Sequence, residues 1–407
     1  MKPAYNPWLI IFGLAVILFI GFGTTINSMG VFAPEYMKSF AVSAEKAGNV
    51  STAFLLTMTI AMPFSGWLMD YFPAKRIMAL GVLLSAAGFI LAHRAMSIDS
   101  LMIDMALSGA GIGLSTYVPA FTVVSYCLPE KHHGMGFGVL MAAASAGGIF
   151  MPYLLAKSIS EIGWKSSELV IGGSYLFLSL PAALLLVPGR KAAPDHGAQD
   201  LAREGATQTS LLKSICSPKY WIWVLVMSLI NLSALGIVVF TIPILVASGY
   251  QQQTAALIVG AIGIATFLGS LLAGILTSRF HPVWIMLAAI TLSAVGLGAL
   301  LKSGVSASGL FFTLIFVLVW GSTFNLINVV SPLLLESVCG RNRFGSLLGI
   351  GNFISGIISS LGPALVGFML DRTHTYDTAI FICAAIILLS LFPTIFLKTR
   401  AVAGGIS

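Results

Sequence analysis

The chain has 407 residues, of which 57% are apolar and only 9% are Asp, Glu, Lys or Arg. Soluble domains normally carry about a quarter charged residues, so this composition excludes an ordinary water-soluble enzyme. The net charge of +7 does not by itself indicate a nucleic-acid partner, because Lys and Arg also accumulate in the cytoplasmic loops of membrane proteins.

Long apolar runs follow one another along the chain, without the alternation of a barrel strand. A backbone inside lipid must satisfy its own hydrogen bonds, so these runs predict transmembrane helices. The first run lacks a small-residue cleavage site, and we interpret it as the first span. The predicted spans cover residues 9–34, 48–69, 77–96, 101–126, 135–158 and 168–187, then 220–247, 254–277, 283–301, 309–335, 345–370 and 378–397.

One extended hydrophilic tract, residues 188–218, separates the two sets of six spans. We therefore predict an N-terminal six-helix bundle at 1–187, a cytoplasmic linker at 188–218 and a C-terminal six-helix bundle at 219–407. With both termini inside, 14 of the 21 Lys and Arg residues fall on the cytoplasmic side, which obeys the positive-inside rule.

Small residues and prolines recur at matching places in the two halves. Gly134, Gly138 and Pro152 of the fifth predicted span correspond to Gly345, Gly349 and Pro363 of the eleventh. Parallel repeats of this kind place a binding site at the midplane, between two bundles that rock against each other. The expected fold is thus an all-α membrane protein of six plus six helices.

The run from Gly66 to Arg76, Gly-Trp-Leu-Met-Asp-Tyr-Phe-Pro-Ala-Lys-Arg, links the second and third predicted spans. Gly66 would let two helix ends approach closely, and Asp70 would lie at a helix terminus facing the opposite bundle. This run resembles the signature between the second and third helices of the major facilitator superfamily, although Pro73 stands where glycine is usual. Lys75 with Arg76 alone would fit topology equally well, but the complete motif favours a gate.

The resemblance also implies partners for the gate. In the superfamily, acids at the cytoplasmic helix ends pair with basic loop residues, and here Glu130 and Glu336 follow the fourth and tenth spans. The expected pairs are therefore Arg76 with Glu130 and Arg279 with Glu336, formed in the outward-facing state. Ser278 stands where the second-half motif would have Asp, so we expect an asymmetric latch.

A finer resemblance comes from Arg343-Phe-Gly-Ser-Leu-Leu-Gly349, with Gly362-Pro363 and Gly367-Phe-Met-Leu-Asp371 after it. This pattern is similar to the branch of oxalate/formate antiporters and monocarboxylate transporters. It implies a transporter of a small organic anion such as a carboxylate, working by rocker-switch alternating access as a uniporter, antiporter or symporter.

Two departures from that branch bear on the substrate. Residues 254–277 hold no charge, where monocarboxylate transporters carry an acid and an arginine. Glu35 follows Pro34, where relatives often have a lysine. A buried guanidinium for a carboxylate is not supported at these positions, so a carrier or exporter of a neutral or amphipathic solute stays open as the alternative.

Neutral polar side chains are the candidates for lining the pathway, because charges within the predicted spans are scarce. Asn325 and Asn328 are three residues apart on one helix face and could present two amides to one ligand. An interhelical hydrogen bond, worth about 0.6 kcal/mol, explains any one candidate equally well. The substrate-binding candidates are Asn27, Tyr117, Asn231, Thr266, Asn325, Asn328 and Asn352; the gating candidates are Gly66, Asp70, Lys75, Arg76, Glu130, Arg279, Glu336 and Arg343.

The remaining ionisable residues leave proton coupling open. Glu35, Asp104 and Glu168 lie near the outer ends of spans, and we interpret them as interfacial. Four histidines at predicted loop edges are expected to face solvent: His93, His132, His133 and His374.

No catalytic, metal-binding or cofactor-binding spacing appears in the sequence. We therefore expect a monomer of a bacterial-type inner membrane that is not an enzyme, acts on a small-molecule substrate and uses no cofactor, metal or nucleic acid. Protons stay open as a co-substrate.

Overall fold

The protein is seen in a computed structural model that describes residues 6–25, 28–189, 214–341 and 343–397. Twelve helices in these ranges are long and apolar enough to cross a membrane, which confirms the predicted number. Numbered in the order of crossing, they are α1 Pro7–Thr24, α2 Glu45–Tyr71, α3 Ala74–Ala92, α4 Ile98–Cys127, α5 Glu130–Ile162, α6 Trp164–Leu186, α7 Pro218–Ala247, α8 Gln252–Thr277, α9 Pro282–Leu300, α10 Ala307–Cys339, α11 Phe344–Thr373 and α12 Tyr376–Ile395.

The first predicted span, 9–34, is one continuous helix in the sequence analysis but two segments in the structure. In the structure α1 ends at Thr24, and a separate short helix occupies Met29–Phe40 before α2 begins. The Thr24 and Thr25 hydroxyls donate to the carbonyls of Ile20 and Gly21. Thr25 itself has left helical geometry, with φ −111° and ψ −89°. Apolar composition continues through this break, so it could not mark where the helix stops.

The spans alternate in direction, so the loops after even-numbered spans lie on the side where α1 begins and α12 ends. We call this side the terminus face and the other side the far face. Of the predicted linker 188–218, residues 190–213 lie outside the described part of the chain, and α7 begins at Pro218.

The surface towards the surroundings is apolar. Phe177 on α6 is 80% exposed and Leu257 on α8 is 75% exposed. In water such side chains would cost free energy at roughly 25 cal/mol per Å² of exposed apolar area. Hydrocarbon therefore suits this surface, as it does the twelve spans.

Each half of the chain forms its own bundle. In the first half α2 and α3 pack along α4, and α1 packs along α5; in the second half α8 packs along α10, α7 along α11 and α9 along α12. The bundles meet where α2 packs on α11 and where α5 packs on α8. The sequence repeat maps α5 onto α11, and Gly66 of α2 likewise returns as Gly274 of α8. These two contacts are therefore the same contact related by the pseudo-two-fold axis.

Two spans are discontinuous beside a proline. The helix of α4 breaks between Ser115 and Tyr117, just before Pro119. That of α11 breaks between Ser359 and Gly362, just before Pro363. Proline lacks an N–H group and is tolerated in the first turn of a helix, and each of these prolines lies in the first turn of the second segment. The breaks lie in spans that contact the opposite bundle.

Candidate functional site

The interface between the bundles depends on glycine at both of its helix pairs. A Cβ atom on Gly66 of α2 would overlap the carbonyl oxygen of Gly345 on α11. At the equivalent contact, a Cβ on Gly138 of α5 would lie 2.7 Å from the carbonyl oxygen of Ser270 on α8. Backbones can approach this closely only where side chains are missing. Gly66 and Gly138 therefore lie where the backbones of the two bundles are in contact.

Asp70 at the end of α2 faces the start of α11. Its Oδ2 accepts a hydrogen bond of 2.5 Å from the Ser346 hydroxyl and lies 3.3 Å from Nη1 of Arg343. The side chains of Asp70 and Arg343 are only 8% and 13% exposed. A carboxylate is favoured at a helix N-terminus and disfavoured at a C-terminus. Asp70 lies at the C-terminal end of its own helix α2 but faces the N-terminal end of α11. The opposite bundle therefore stabilises its charge more than α2 does.

Arg343 has a second partner beside Asp70. Nη1 donates to the Tyr71 hydroxyl at 3.3 Å, and the guanidinium carbon lies 5.2 Å from the centre of the Tyr71 ring. Burial lowers the pKa of Arg343, but the Tyr71 hydroxyl and the Asp70 carboxylate raise it by more, so the net shift is upward. Arg343 therefore stays charged and holds α2 to the start of α11.

The predicted partners of Glu130 and Glu336 are wrong for this conformation. Both acids contact Arg341, with Nε 2.6 Å from Glu336 Oε1 and Nη2 3.2 Å from Glu130 Oε2. Arg341 belongs to the loop between α10 and α11, so it lies beside Glu336 in sequence and reaches across the interface to Glu130. No ion pair of Arg76 or Arg279 occurs within the described ranges. Which charges pair between the bundles depends on the relative position of the two bundles. A family pattern of charged residues does not specify that position.

Lys75 and Arg76 line a surface cleft at the terminus face instead of bridging the bundles. The cleft is formed by the start of α3 and the end of α6, with Leu184 and Gly189 on its other wall. Within the described residues, no carboxylate lies within salt-bridge distance of either cation. The interpretation of this pair as a marker of topology is therefore the one that suits its position here.

His133 at the start of α5 is buried, which corrects the expectation that it faces solvent. Its side chain is 1% exposed, with Nδ1 3.0 Å from Glu336 Oε2 and Nε2 2.9 Å from the Leu128 carbonyl oxygen. The residue before it, His132, is only partly buried. Both histidines have the same loop-edge sequence context, so sequence alone offered no signal to separate them.

Three predicted polar residues make hydrogen bonds between the bundles near mid-bilayer. The Asn325 amide on α10 donates to Ser145 Oγ on α5 at 2.6 Å, and also to Ser270 Oγ on α8 at 3.1 Å. The Tyr117 hydroxyl, at the break of α4, donates to the backbone carbonyl of Asn328 at 3.2 Å. The sequence thus brings Asn325, Asn328 and Tyr117 to one interface.

The other predicted polar residues bond within their own bundle. Asn231 Nδ2 donates to Ser355 Oγ at 3.1 Å, which joins α7 to α11. Thr266 and Asn352 donate to carbonyls of their own helices, as does the side-chain amide of Asn328. Asn27 lies outside the described residues.

The contacts between bundles are distributed unevenly across the membrane. In the part of the chain that the structure describes, every hydrogen bond and ion pair joining the bundles lies between mid-bilayer and the terminus face. The deepest of these bonds is that between Asn325 and Ser145. The bundles are therefore locked together at the terminus face, with no equivalent polar lock among the described residues at the far face.

Glu168 near the far face was interpreted as interfacial, but its side chain is buried. It is 1% exposed, accepts a hydrogen bond of 2.6 Å from Tyr36 of the short helix, and has no partner for Oε2 among the described residues. Trp164 at the start of α6 donates to Ser39 of the same short helix at 2.7 Å.

Comparisons with known proteins agree with this architecture. The family model described as Major Facilitator Superfamily matches residues 12–363 and 227–406. Human monocarboxylate transporter 7 is 23% identical, with 88% of this chain and 80% of that protein covered. The uncharacterized MFS-type transporter YcxA of Bacillus subtilis is 25% identical over 91% of this chain and 90% of its own.

Solved structures share the fold at low identity. FucP, a Major Facilitator Superfamily transporter crystallised in the outward conformation, superposes with a TM-score of 0.78 at 18% identity, covering 97% of this chain and 100% of that one. The proton:xylose symporter XylE gives a TM-score of 0.73 at 14% identity, with 96% of both chains covered. Since the family model spans nearly the whole chain and the helices form its six-plus-six arrangement, this protein belongs to the Major Facilitator Superfamily of membrane transporters.

Proposed function

We propose that this transporter moves a small organic anion, a carboxylate, by rocker-switch alternating access. The observation that carries the mechanism is the one-sided lock between the bundles. Ion pairs that join two rigid bundles at one face stabilise the state closed at that face and must separate when it opens. The equilibrium between states is then set by a few kcal/mol of differential contact.

The lock supports a conformation that is closed at the terminus face and accessible from the far face. Asp70, Arg343, Glu130, Arg341 and Glu336 form the closed gate, with Gly66 permitting the close approach of α2 and α11. The excess of Lys and Arg in loops of the terminus face favours its cytoplasmic orientation. In a bacterial-type inner membrane the present state would then face outward.

The substrate class rests on the relatives. Several of the curated proteins similar to this chain are named monocarboxylate transporters, at 21–23% identity. The proposed lining of the pathway consists of Asn325, Asn328 and Tyr117 at the interface, with Asn231, Thr266 and Asn352 beside it. Amide N–H groups and hydroxyls can donate to a carboxylate, although each such bond contributes less than a charged one.

A neutral or amphipathic solute is the second candidate, and one observation favours it. The side chains proposed for the lining are all uncharged, and α8 carries no Asp, Glu, Lys or Arg. A dehydrated carboxylate with no cation beside it is costly to hold in a low-dielectric cavity. The two candidates share the fold and the gate, and differ only in what the cavity binds.

Uptake into proteoliposomes distinguishes the candidates. Radiolabelled monocarboxylates, dicarboxylates and neutral solutes of similar size are offered with and without a pH gradient. Saturable uptake of a carboxylate, inhibited by other carboxylates, supports the first proposal. Uptake confined to neutral solutes supports the second, and no saturable uptake of any member contradicts both.

A further inference from the structure

His133 and Glu336 form a contact across the bundles that the gate motifs did not anticipate. His133 lies in the first turns of α5 in the first bundle, and Glu336 lies near the end of α10 in the second. His133 is 1% exposed and Glu336 is 10% exposed. Since each residue belongs to a different bundle, separation of the bundles at the terminus face would break this contact.

Both ring nitrogens of His133 face oxygen atoms that accept hydrogen bonds. Nε2 lies 2.9 Å from the Leu128 carbonyl oxygen, which can only accept, so Nε2 carries a proton. Nδ1 lies 3.0 Å from Glu336 Oε2. A neutral ring has one N–H, so the second contact needs one more proton, on Nδ1 or on the carboxyl group. Either way the pair holds one proton more than a neutral imidazole and a carboxylate.

Charged side chains and one tyrosine surround the pair, and Asp70 and Arg343 lie beyond that tyrosine, Tyr126. Arg341 lies on the other carboxylate oxygen of Glu336 and also reaches Glu130, which is 87% exposed. The hydroxyl of Tyr126 donates to the Arg341 carbonyl oxygen at 2.7 Å. Arg341 partly neutralises Glu336 from one side, and the proton on the pair completes that neutralisation from the other.

Aromatic rings separate His133 from the middle of the membrane. Phe137 lies 6.2 Å from the His133 ring, Phe121 lies 4.5 Å from Phe137, and Tyr117 lies 4.3 Å from Phe121, all as ring-centre distances. Phe121 and Phe137 are fully buried. These rings fill the space between His133 and mid-bilayer. The solvent nearest to the pair therefore lies at the terminus face, where Arg341 is 40% exposed and Glu336 is 10% exposed.

We infer that the His133–Glu336 pair is a proton-binding site that couples closure of the terminus face to pH on that side. Closing the gate takes up one proton from the medium at the terminus face, and opening the gate releases it to the same medium. Lower pH on that side therefore favours the closed state, and higher pH favours opening. The site regulates transport and carries no proton across the membrane. This inference rests on the proposed function, because it needs a gate that opens.

The test measures the gate directly in the full chain. The four native cysteines are replaced, and Phe72→Cys on the first bundle with Ser278→Cys on the second carry spin labels at exposed positions of the terminus face. Distances are recorded in lipid nanodiscs from about pH 5 to about pH 8, the range in which an imidazole changes charge. The variants are His133→Gln, Glu336→Gln and, as the matched control, His132→Gln.

In the wild-type background the ratio of short to long distances should rise as pH falls, by up to about tenfold per pH unit for one proton. His132→Gln should keep that slope, whereas His133→Gln should abolish it. If His133→Gln does not fold, the same loss of slope is expected in Glu336→Gln. A His133→Gln ratio that keeps the wild-type slope overturns the inference, as does a flat wild-type ratio when both distances are present. One distance under every condition contradicts the proposed function itself, and with it this site.

Discussion

Gly66 of α2 and Gly345 of α11 bring the two bundles into direct backbone contact, because a Cβ on Gly66 would overlap the Gly345 carbonyl oxygen. The same contact recurs in the other half, where Gly138 of α5 lies against α8. Ion pairs then surround the first contact at the terminus face. Closure of that face thus needs close packing and charge pairing together.

Gly66→Ala is expected to disfavour the closed gate. The new methyl group would force α2 away from α11, at a cost of about 1–3 kcal/mol in the closed state. The chain should still fold, since the overlap is with the other bundle. Spin-label distances at the terminus face should shift towards the longer population, and uptake should fall.

Gly298→Ala is the matched control, because a Cβ at that exposed position on α9 meets nothing within 4 Å. Equal distances and uptake for Gly66→Ala and wild type would show that the approach of α2 to α11 is not limiting.

Asp70→Asn is expected to slow turnover about tenfold while leaving the protein folded. The amide loses the charge that faces Arg343 and the start of α11, so the closed state is less favoured. Turnover is measured in proteoliposomes and folding by thermal unfolding. Asp371→Asn, an exposed acid near the far face, serves as control. Unchanged turnover in Asp70→Asn would remove Asp70 from the gate.

Substitution of Glu336 should affect stability and gate closure more than substitution of Glu130, although both residues contact Arg341. The Glu130 side chain is 87% exposed and that of Glu336 is 10% exposed. An exposed pair contributes at most about 1 kcal/mol, whereas loss of a partner in a buried cluster costs about 1–3 kcal/mol. Glu336→Gln should therefore reduce thermal stability and closure more than Glu130→Gln does. Equal effects of the two substitutions would contradict the burial argument.

Uptake kinetics distinguish a role of Asn325 in substrate binding from a role only in contact between the bundles. Its amide donates to Ser145 and Ser270. Asn325→Ala should raise the KM of uptake more than Ser145→Ala, if the amide also contacts substrate. Identical kinetics in the two variants would assign Asn325 to bundle contact alone.

The sequence predicted the membrane spans better than it predicted the ion pairs of the gate. The twelve spans were predictable because lipid imposes an apolar composition on every stretch that crosses it. The repeat of Gly138 and Pro152 as Gly349 and Pro363 predicted two bundles that meet around a site. The ion pairs were not predictable. Arg341 reaches Glu130 only because of how the two bundles are positioned against each other, and no local sequence pattern encodes that position. His133 and Glu168 look like interfacial residues in sequence, and only packing reveals their burial.

The central claim is that the two bundles open the pathway to one face at a time. Label pairs at both faces test it most directly, Phe72→Cys with Ser278→Cys at the terminus face and Glu45→Cys with Asp371→Cys at the far face. The account predicts opposite changes, so that conditions which lengthen the first distance, such as Gly66→Ala, shorten the second. Distances that change together, or that never change with any transported substrate, would contradict alternating access.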